Sequence, residues 1–581
     1  MNPSRRRNLT LALFTLLVAF VAILSGNLTG LPRVAYADPV GIKYTGAGTC
    51  ATAACHGAVA PKPLYDGDCQ HNENTIWSTK DLHSQSFSGE GGKRGLVNAL
   101  SKEIAKKLKI ADSTKSERCL SCHALSGLSS GESKSHIFLK PTDIAPAKYN
   151  IEDGVSCDSC HGPASKYMDK HTGKLWTQTQ RKELGSQKLY DDWGLYDTKN
   201  LKFRANACLS CHLKIDHELI DAGHPELPFE LDGYSQGEWI HWQDKGAWFS
   251  SKSWAMGQVV SLREAALQLA DRIKSKAEQG LIIDSYKQTL AHAILARHVA
   301  FDLDKPSLDA LNNEITTLNA SWNEPDKVDA ALHAISRISN ALADTIEKTA
   351  FTQTTTESLL NGVAAEGDIA GNIGFRAAEQ FTLGLKSLWG CVSKDAKPAD
   401  AEARMAKVDE LYEPLGEAAS YDPKKFAPAA AKMSAVFPGG KLIPLPAGGP
   451  GMAGGAPAPV VARPPERVPE TVVKAPENIS KPEPVVKAPE KIAEPAPVQK
   501  LPEPTVKATE VIVPPVAVPT PPEPPPIVKV QPKPPDPVPA QIATPTAGDA
   551  GQQSVFCPEC GTRWPANFKY CAKCGHQLPK L

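Results

Sequence analysis

The stretch Gly154–His171, GVSCDSCHGPASKYMDKH, sets Cys157, Cys160 and His161 in one short turn and ends on a second histidine, His171. Cys-x-x-Cys-His is the spacing at which two thiols add to the two vinyl groups of a haem while the adjoining imidazole lies under the ring as an iron ligand. The same order recurs as CLSCH at Cys119–His123 and again at Cys208–His212, with Cys122 and Cys211 as the second thiols. A looser form, CATAACH, runs from Cys50 through Cys55 to His56. A lone motif also fits a redox dithiol or half of a zinc site, but a histidine follows the second cysteine in all four, which argues against that reading. At Cys50–His56 the two extra residues lengthen the loop, and a disulfide is the rival to haem attachment there.

Covalent haem attachment takes place outside the cytoplasm on an unfolded chain, and the N-terminus agrees. Arg5, Arg6 and Arg7 form a basic n-region, Leu9–Leu24 is apolar but for two threonines, and AYAD offers a cleavage site after Ala37. Residues 1–37 therefore read as a signal peptide, or, if uncleaved, as an N-terminal anchor in the inner membrane. Both place the remainder in the periplasm or an equivalent extracytoplasmic space. Because the chain is exported unfolded, Arg5 and Arg6 are not read as a folded-export twin-arginine signal. A formal net charge of zero over 581 residues gives no support for a nucleic-acid partner.

GVSCDSCHGPASKYMDKH and AGHPELPFEL (Ala222–Leu231) resemble segments of the cytochrome c-554-type family of multihaem c-type cytochromes, over about Gly46 to Leu231. The resemblance implies four haems c, most of them held by two histidines, and one iron that can be five-coordinate. It implies distal iron ligands at His83 in WSTKDLHSQSF, His171 and His224, with His136 in reserve. It further implies electron transfer between redox protein partners.

The expected fold is mainly α. Residues 38–250 form a loop-rich tetrahaem cytochrome domain whose haems supply much of the apolar core. Residues 251–437 form a helical bundle: Val259, Leu262, Ala266, Leu269 and Ile273 follow three-four spacing, as do Ile335, Ile338, Leu342 and Ile346. Asp304–Pro306 (DKP) and Asn323–Lys327 (NEPDK) mark helix boundaries. With no catalytic cluster in it, the bundle reads as a docking or dimerisation scaffold, and His292, His298 and His333 read as satisfied or exposed histidines.

From Pro438 the composition turns to Gly and Pro, and ETVVKAPENISKP from Glu470 is followed at once by EPVVKAPEKIAEP. Residues 438–553 are read as a disordered, proline-rich linker of polyproline character, reaching about 300 Å if fully extended. It leads to residues 554–581, where Cys557, Cys560, Cys571 and Cys574 make Cys-x2-Cys-x10-Cys-x2-Cys. Four thiolates at that spacing fit a structural zinc ribbon that contacts a protein partner. Rubredoxin-like iron, or two disulfides in an oxidising space, are its rivals. Cys69 and Cys391 fall outside every motif; they pair with each other or stay as separate thiols.

Two functions remain. One is an extracytoplasmic electron carrier. The other is a haem enzyme acting on a small nitrogen compound, such as nitric oxide, at a five-coordinate iron. No Cys-x-x-Cys-Lys motif or haem-linking tyrosine stands out, which favours the carrier. A sensor reporting haem redox state through the ribbon is a weaker third reading.

Overall fold

The computed structural model describes residues 41–61, 69–89, 94–124, 126–128, 136–138, 149–172, 176–237, 239–446, 448–450, 554–556 and 563–565. The N-terminal segment 1–37, the thirteen-residue repeat and the four ribbon cysteines lie outside the described residues. Among the described residues, no helix is long and apolar enough to cross a membrane.

The chain is mainly helical, and helix length divides it. Among the described residues up to Tyr234 the helices are short, the longest being Ala99–Lys107 and Leu201–Leu209 at nine residues each. Side-chain caps explain where several begin. Asn98 accepts from Ser101 N, Asn200 from Lys202 N and Phe203 N, and Asp216 from Leu219 N, each satisfying amides the helix itself leaves free. Thr177 and Gln180 close a reciprocal capping box ahead of Gln178–Leu184. Apolar side chains here form several small clusters, such as Tyr190, Tyr196, Phe203 and Ala207, or Phe87, Leu96, Leu120 and Ala124.

The second half is built from long helices: Phe249–Lys274, Gln279–Leu303, Lys305–Ala320, Pro325–Lys348, Gln353–Ala365 and Phe375–Asp395. Phe249–Lys274 packs on Gln279–Leu303, Pro325–Lys348 and Phe375–Asp395. Val259, Leu262, Ala266 and Leu269 are fully buried on it, and Ile335, Leu342 and Ile346 on Pro325–Lys348. Asp304 ends one helix and caps the next through Ser307 N, while Pro325 opens Pro325–Lys348 as its first residue. Trp248 N donates to Asp395 Oδ2 at 2.6 Å, and Lys252 Nζ donates to the carbonyls of Glu347 and Thr349, a cation at a helix C-terminus.

The packed core does not stop where the short helices do. Leu201, Ala205, Leu209, Leu213, Phe229 and Leu231 belong to the same buried cluster as the long helices. Glu264 accepts from both Lys214 and Arg263, and Arg272 reaches Glu226 at 2.8 Å and the Ile215 carbonyl at 3.0 Å. A buried chain of hydrogen bonds crosses the same seam. His292 Nδ1 lies 2.9 Å from Gln258 Oε1, Gln258 Nε2 donates to Gln380 Oε1 (3.0 Å), and Gln380 Nε2 donates to the Phe229 carbonyl (3.3 Å).

At the other end the sequence boundary at Pro438 falls short of where packing ends. Buried Arg297 donates to the carbonyls of Ile443 (3.1 Å) and Pro444 (2.6 Å), and Asn319 Nδ2 donates to the Pro446 carbonyl at 2.8 Å. A guanidinium removed from water needs acceptors, and the proline-rich segment supplies them as free carbonyls. The strands Ser554–Phe556 and Arg563–Pro565 pair antiparallel, Val555 opposite Trp564, and the first ribbon pair, Cys557 and Cys560, lies in the connection between them.

Candidate haem-binding site

In an α-turn, residues i, i+3 and i+4 share a face, so Cys-x-x-Cys-His on a helix turns both thiols and the imidazole the same way. Cys119, Cys122 and His123 lie on the helix Glu117–His123, and Cys157, Cys160 and His161 on Cys157–His161. Cys208 sits in the last turn of Leu201–Leu209, and His212 N donates back to its carbonyl at 3.1 Å. The looser motif closes differently: Ala47–Cys50 ends, Cys55 N bonds the Thr52 carbonyl, and His56 N returns to the Cys50 carbonyl at 3.1 Å. Two extra residues are absorbed in a turn, and His56 still ends beside Cys50.

Asp158, inside the third motif, ties it to the first. Its Oδ2 accepts from Thr45 N (2.5 Å), Gly46 N (3.2 Å) and Thr45 Oγ1 (3.2 Å). Burial pushes its carboxyl up to about 6 despite those donors. The motifs are thereby brought together in couples: the Cys157 thiol is near enough to hold the Cys50 thiol below its ordinary value, and Cys211 does the same to Cys122. Gly162, at φ 78°, lets the chain leave the third motif against Gly194, whose carbonyl a Cβ would meet at 2.2 Å.

The histidines show a common pattern. His123 Nδ1 lies 2.7 Å from the Ser86 carbonyl, His171 Nδ1 2.6 Å from that of Met168, His212 Nδ1 2.9 Å from that of Pro228 and His224 Nδ1 2.8 Å from that of Pro225. A carbonyl accepts only, so each Nδ1 carries the proton and Nε2 keeps a lone pair for a metal. His56 and His83 differ in the partner: His56 Nδ1 faces Glu73 Oε2 at 3.0 Å, and His83 Nδ1 faces Asp81 Oδ1 at 2.9 Å.

Two proximal histidines meet two of the expected distal ones. The rings of His56 and His171 are 6.1 Å apart between centroids with planes 7° from parallel, and those of His123 and His224 are 6.3 Å apart at 75°. Two imidazoles bound to one metal from opposite sides, at about 2 Å each, have centroids roughly 6 Å apart. Burial drops His212 to about 4, opposed by the Pro228 carbonyl, with the charge of His83 adding to the drop. Burial drops His161 to about 3, and His241 is the strongest of the cations that add to this. Among the described residues, neither His212 nor His161 has a second imidazole at the spacing of the other two pairs. The reserve residue His136 lies on the strand His136–Phe138.

Glu73, Asp81 and Asp158 carry this geometry and were not singled out from the sequence; only their spacing before His83 or inside the motif hints at them. Cys69 also lies beside His56, its Sγ 3.6 Å from Nδ1, and with Glu73 they form a group whose ligand atoms lie within 4.8 Å. Cys69 and Glu73 together raise His56 to about 10. Cys69 and Cys391 are separate thiols, Cys391 being buried 3.8 Å from Asp395 Oδ2.

The bundle histidines are accounted for without iron. Both His292 nitrogens are bonded to glutamines, His298 Nε2 lies 2.8 Å from Glu366 Oε1, and half-exposed His333 stands near Asp329. The donor set of the four motifs, paired thiols each followed by an imidazole, with Nε2 left free at His123 and His212, fits haem c. No family model matches the chain, and no curated protein or solved structure is significantly similar to it.

Proposed function

We propose that this chain is an extracytoplasmic tetrahaem c-type cytochrome that passes electrons between redox protein partners. The observation that carries the reading is the pairing of His56 with His171 and of His123 with His224 at the separation two axial imidazoles require. Cys50 and Cys55, Cys119 and Cys122, Cys157 and Cys160, and Cys208 and Cys211 hold the four haems, with His56, His123, His161 and His212 as proximal ligands. The haem supplies one-electron chemistry at its iron. What the chain adds is arrangement. Carbonyls and carboxylates orient the imidazoles, and the thiol contacts Cys50–Cys157 and Cys122–Cys211 set the attachment points of the first and third motifs, and of the second and fourth, side by side.

His171, His224 and His83 are the distal ligands in this reading, His83 serving the His212 site. A second reading, a haem enzyme acting on a small nitrogen compound, is favoured by one observation: among the described residues His161, like His212, has no imidazole facing it at ligand spacing. Residues 1–37 export the chain or anchor it, and Cys557, Cys560, Cys571 and Cys574 hold zinc in a module that binds a protein partner at the end of the linker.

The test is a low-temperature electron paramagnetic resonance spectrum of the oxidised full-length protein, with haem counted by mass on the same sample. Four haems with His56 and His123 low-spin support the carrier. Fewer than four overturns the tetrahaem assignment, and a high-spin iron at His161 that binds nitric oxide moves the case to the enzyme.

A further inference from the structure

Three of the four proximal histidines have a hydrogen-bond acceptor at Nδ1, and the acceptors are not equivalent. His123 and His212 donate to peptide carbonyls of Ser86 and Pro228, whereas His56 faces a carboxylate, Glu73 Oε2, at 3.0 Å. The other carboxylate oxygen, Glu73 Oε1, accepts from Gln70 N at 2.5 Å, so both oxygens act as acceptors and the carboxylate is oriented from two sides. Glu73 opens the helix Glu73–Lys80, where the amide dipoles favour a negative charge, and its side chain is 15% exposed. The charge is held in place and screened little by water.

A carboxylate behind an axial imidazole draws its Nδ1 proton and makes Nε2 a stronger donor, which favours ferric over ferrous iron. Opposite His56 stands His171, whose Nδ1 donates to a carbonyl, so the asymmetry at this iron lies on the His56 side, where Glu73 is the carboxylate and Cys69 a thiol 3.6 Å from the same nitrogen. At the His123–His224 pair both Nδ1 atoms donate to carbonyls. We propose that Glu73 is a positioning residue that tunes the haem of the Cys50–His56 site, making it a stronger reductant than the haem held by His123 and His224. This rests on the tetrahaem reading and gives it a direction: an electron reaching both haems settles on the His123 side and is passed on most readily from the His56 side.

The ring planes provide the assay. Near-parallel axial imidazoles split the two iron orbitals that point between them and give a rhombic low-spin signal; near-perpendicular ones leave those orbitals almost degenerate and give a signal with one very large g value. The 7° of His56–His171 and the 75° of His123–His224 therefore label the two haems separately. In a redox titration of the haem-loaded full chain at fixed pH, the rhombic signal should persist to lower potential than the large-g signal.

In Glu73→Gln, which keeps size and loses charge, the rhombic signal should titrate higher, with about a tenfold change in the oxidised-to-reduced ratio at a fixed potential, or about 59 mV for one electron. Glu73→Asp should retain most of the wild-type value, and Cys69→Ser, which keeps a neutral neighbour at Nδ1, should move it less than Glu73→Gln does. Four haems with unmoved midpoints in Glu73→Gln, a shift produced by Cys69→Ser instead, or a wild-type rhombic signal titrating above the large-g signal overturns the proposal alone. Three haems in the wild type, with Cys50 and Cys55 unmodified, overturns the tetrahaem reading and the proposal with it.

Discussion

Asp158 Oδ2 takes the amides of Thr45 and Gly46, so a residue between the two cysteines of the third cysteine–histidine motif holds the start of the helix that carries Cys50 of the first. The looser motif at Cys50–His56 owes its position to this carboxylate as much as to its own sequence. Asp158→Ala removes three hydrogen bonds from a buried site and should cost about 2 to 4 kcal/mol. It should also lower haem occupancy at Cys50 and Cys55 selectively. Denaturant midpoints and peptide mass mapping of haem adducts check the two effects; an even loss over all four motifs would show that Asp158 acts only on general stability.

Distal ligation is open to direct substitution. His171→Ala should convert the rhombic low-spin signal to high-spin iron and leave the large-g signal in place, and His224→Ala should do the reverse. Each variant should retain four haems, because the thiols are untouched. An unchanged spectrum in either variant removes that histidine from the iron.

Stability should fall in acid through His292. Its ring is fully buried between Gln258 and Gln288, and burial holds it down at about 3. Between that value and the ordinary 6.5 or so, the unfolded chain binds a proton that the folded chain does not. The stabilisation is complete above pH 6.5 and is lost as pH falls towards 3, by up to about 5 kcal/mol. Urea midpoints at pH 7 and pH 4 should differ less in His292→Gln than in the wild type.

Gly257 is where Phe249–Lys274 crosses Leu231: a Cβ there would meet Leu231 Cβ at 2.7 Å and Leu231 N at 3.2 Å. Gly257→Val should destabilise by about 1 to 3 kcal/mol through overpacking. Phe229 and Pro228 precede that contact, and the Pro228 carbonyl orients His212, so the spectrum of one haem should change while the other three hold. Visible and paramagnetic resonance spectra of the variant decide it.

The helical half of the fold was legible because its apolar spacing is carried by strong, uninterrupted stripes; Val259, Leu262, Ala266 and Leu269 are core, and helices start after Asp304 and at Pro325. The helical placement of the Cys-x-x-Cys-His motifs was legible for a different reason, since i, i+3, i+4 is itself a helical face. What the sequence concealed is contact between distant segments. Nothing in it couples Asp158 to Thr45 or Glu73 to His56, because a carboxylate in a polar stretch has the same composition whether it is solvated or aimed at an imidazole. Packing contacts run past Pro438 for a related reason. Proline marks the end of helices, but its carbonyls still pack against a buried cation, as Ile443 and Pro444 do for Arg297.

Thiols that touch across motifs are also thiols that an oxidising compartment would join wrongly. Cys50 lies against Cys157 and Cys122 against Cys211 in the folded chain. Two such crosslinks would take one sulfur from every motif and leave none able to hold its porphyrin by both vinyl carbons. If the chain is the tetrahaem cytochrome proposed above, its biogenesis has to run in sequence, with reduction and porphyrin addition first and collapse last. Order along the polypeptide would help in that reading: Cys50 precedes Cys157 by more than a hundred residues, and a first motif loaded on export would have no bare sulfur left to offer the third.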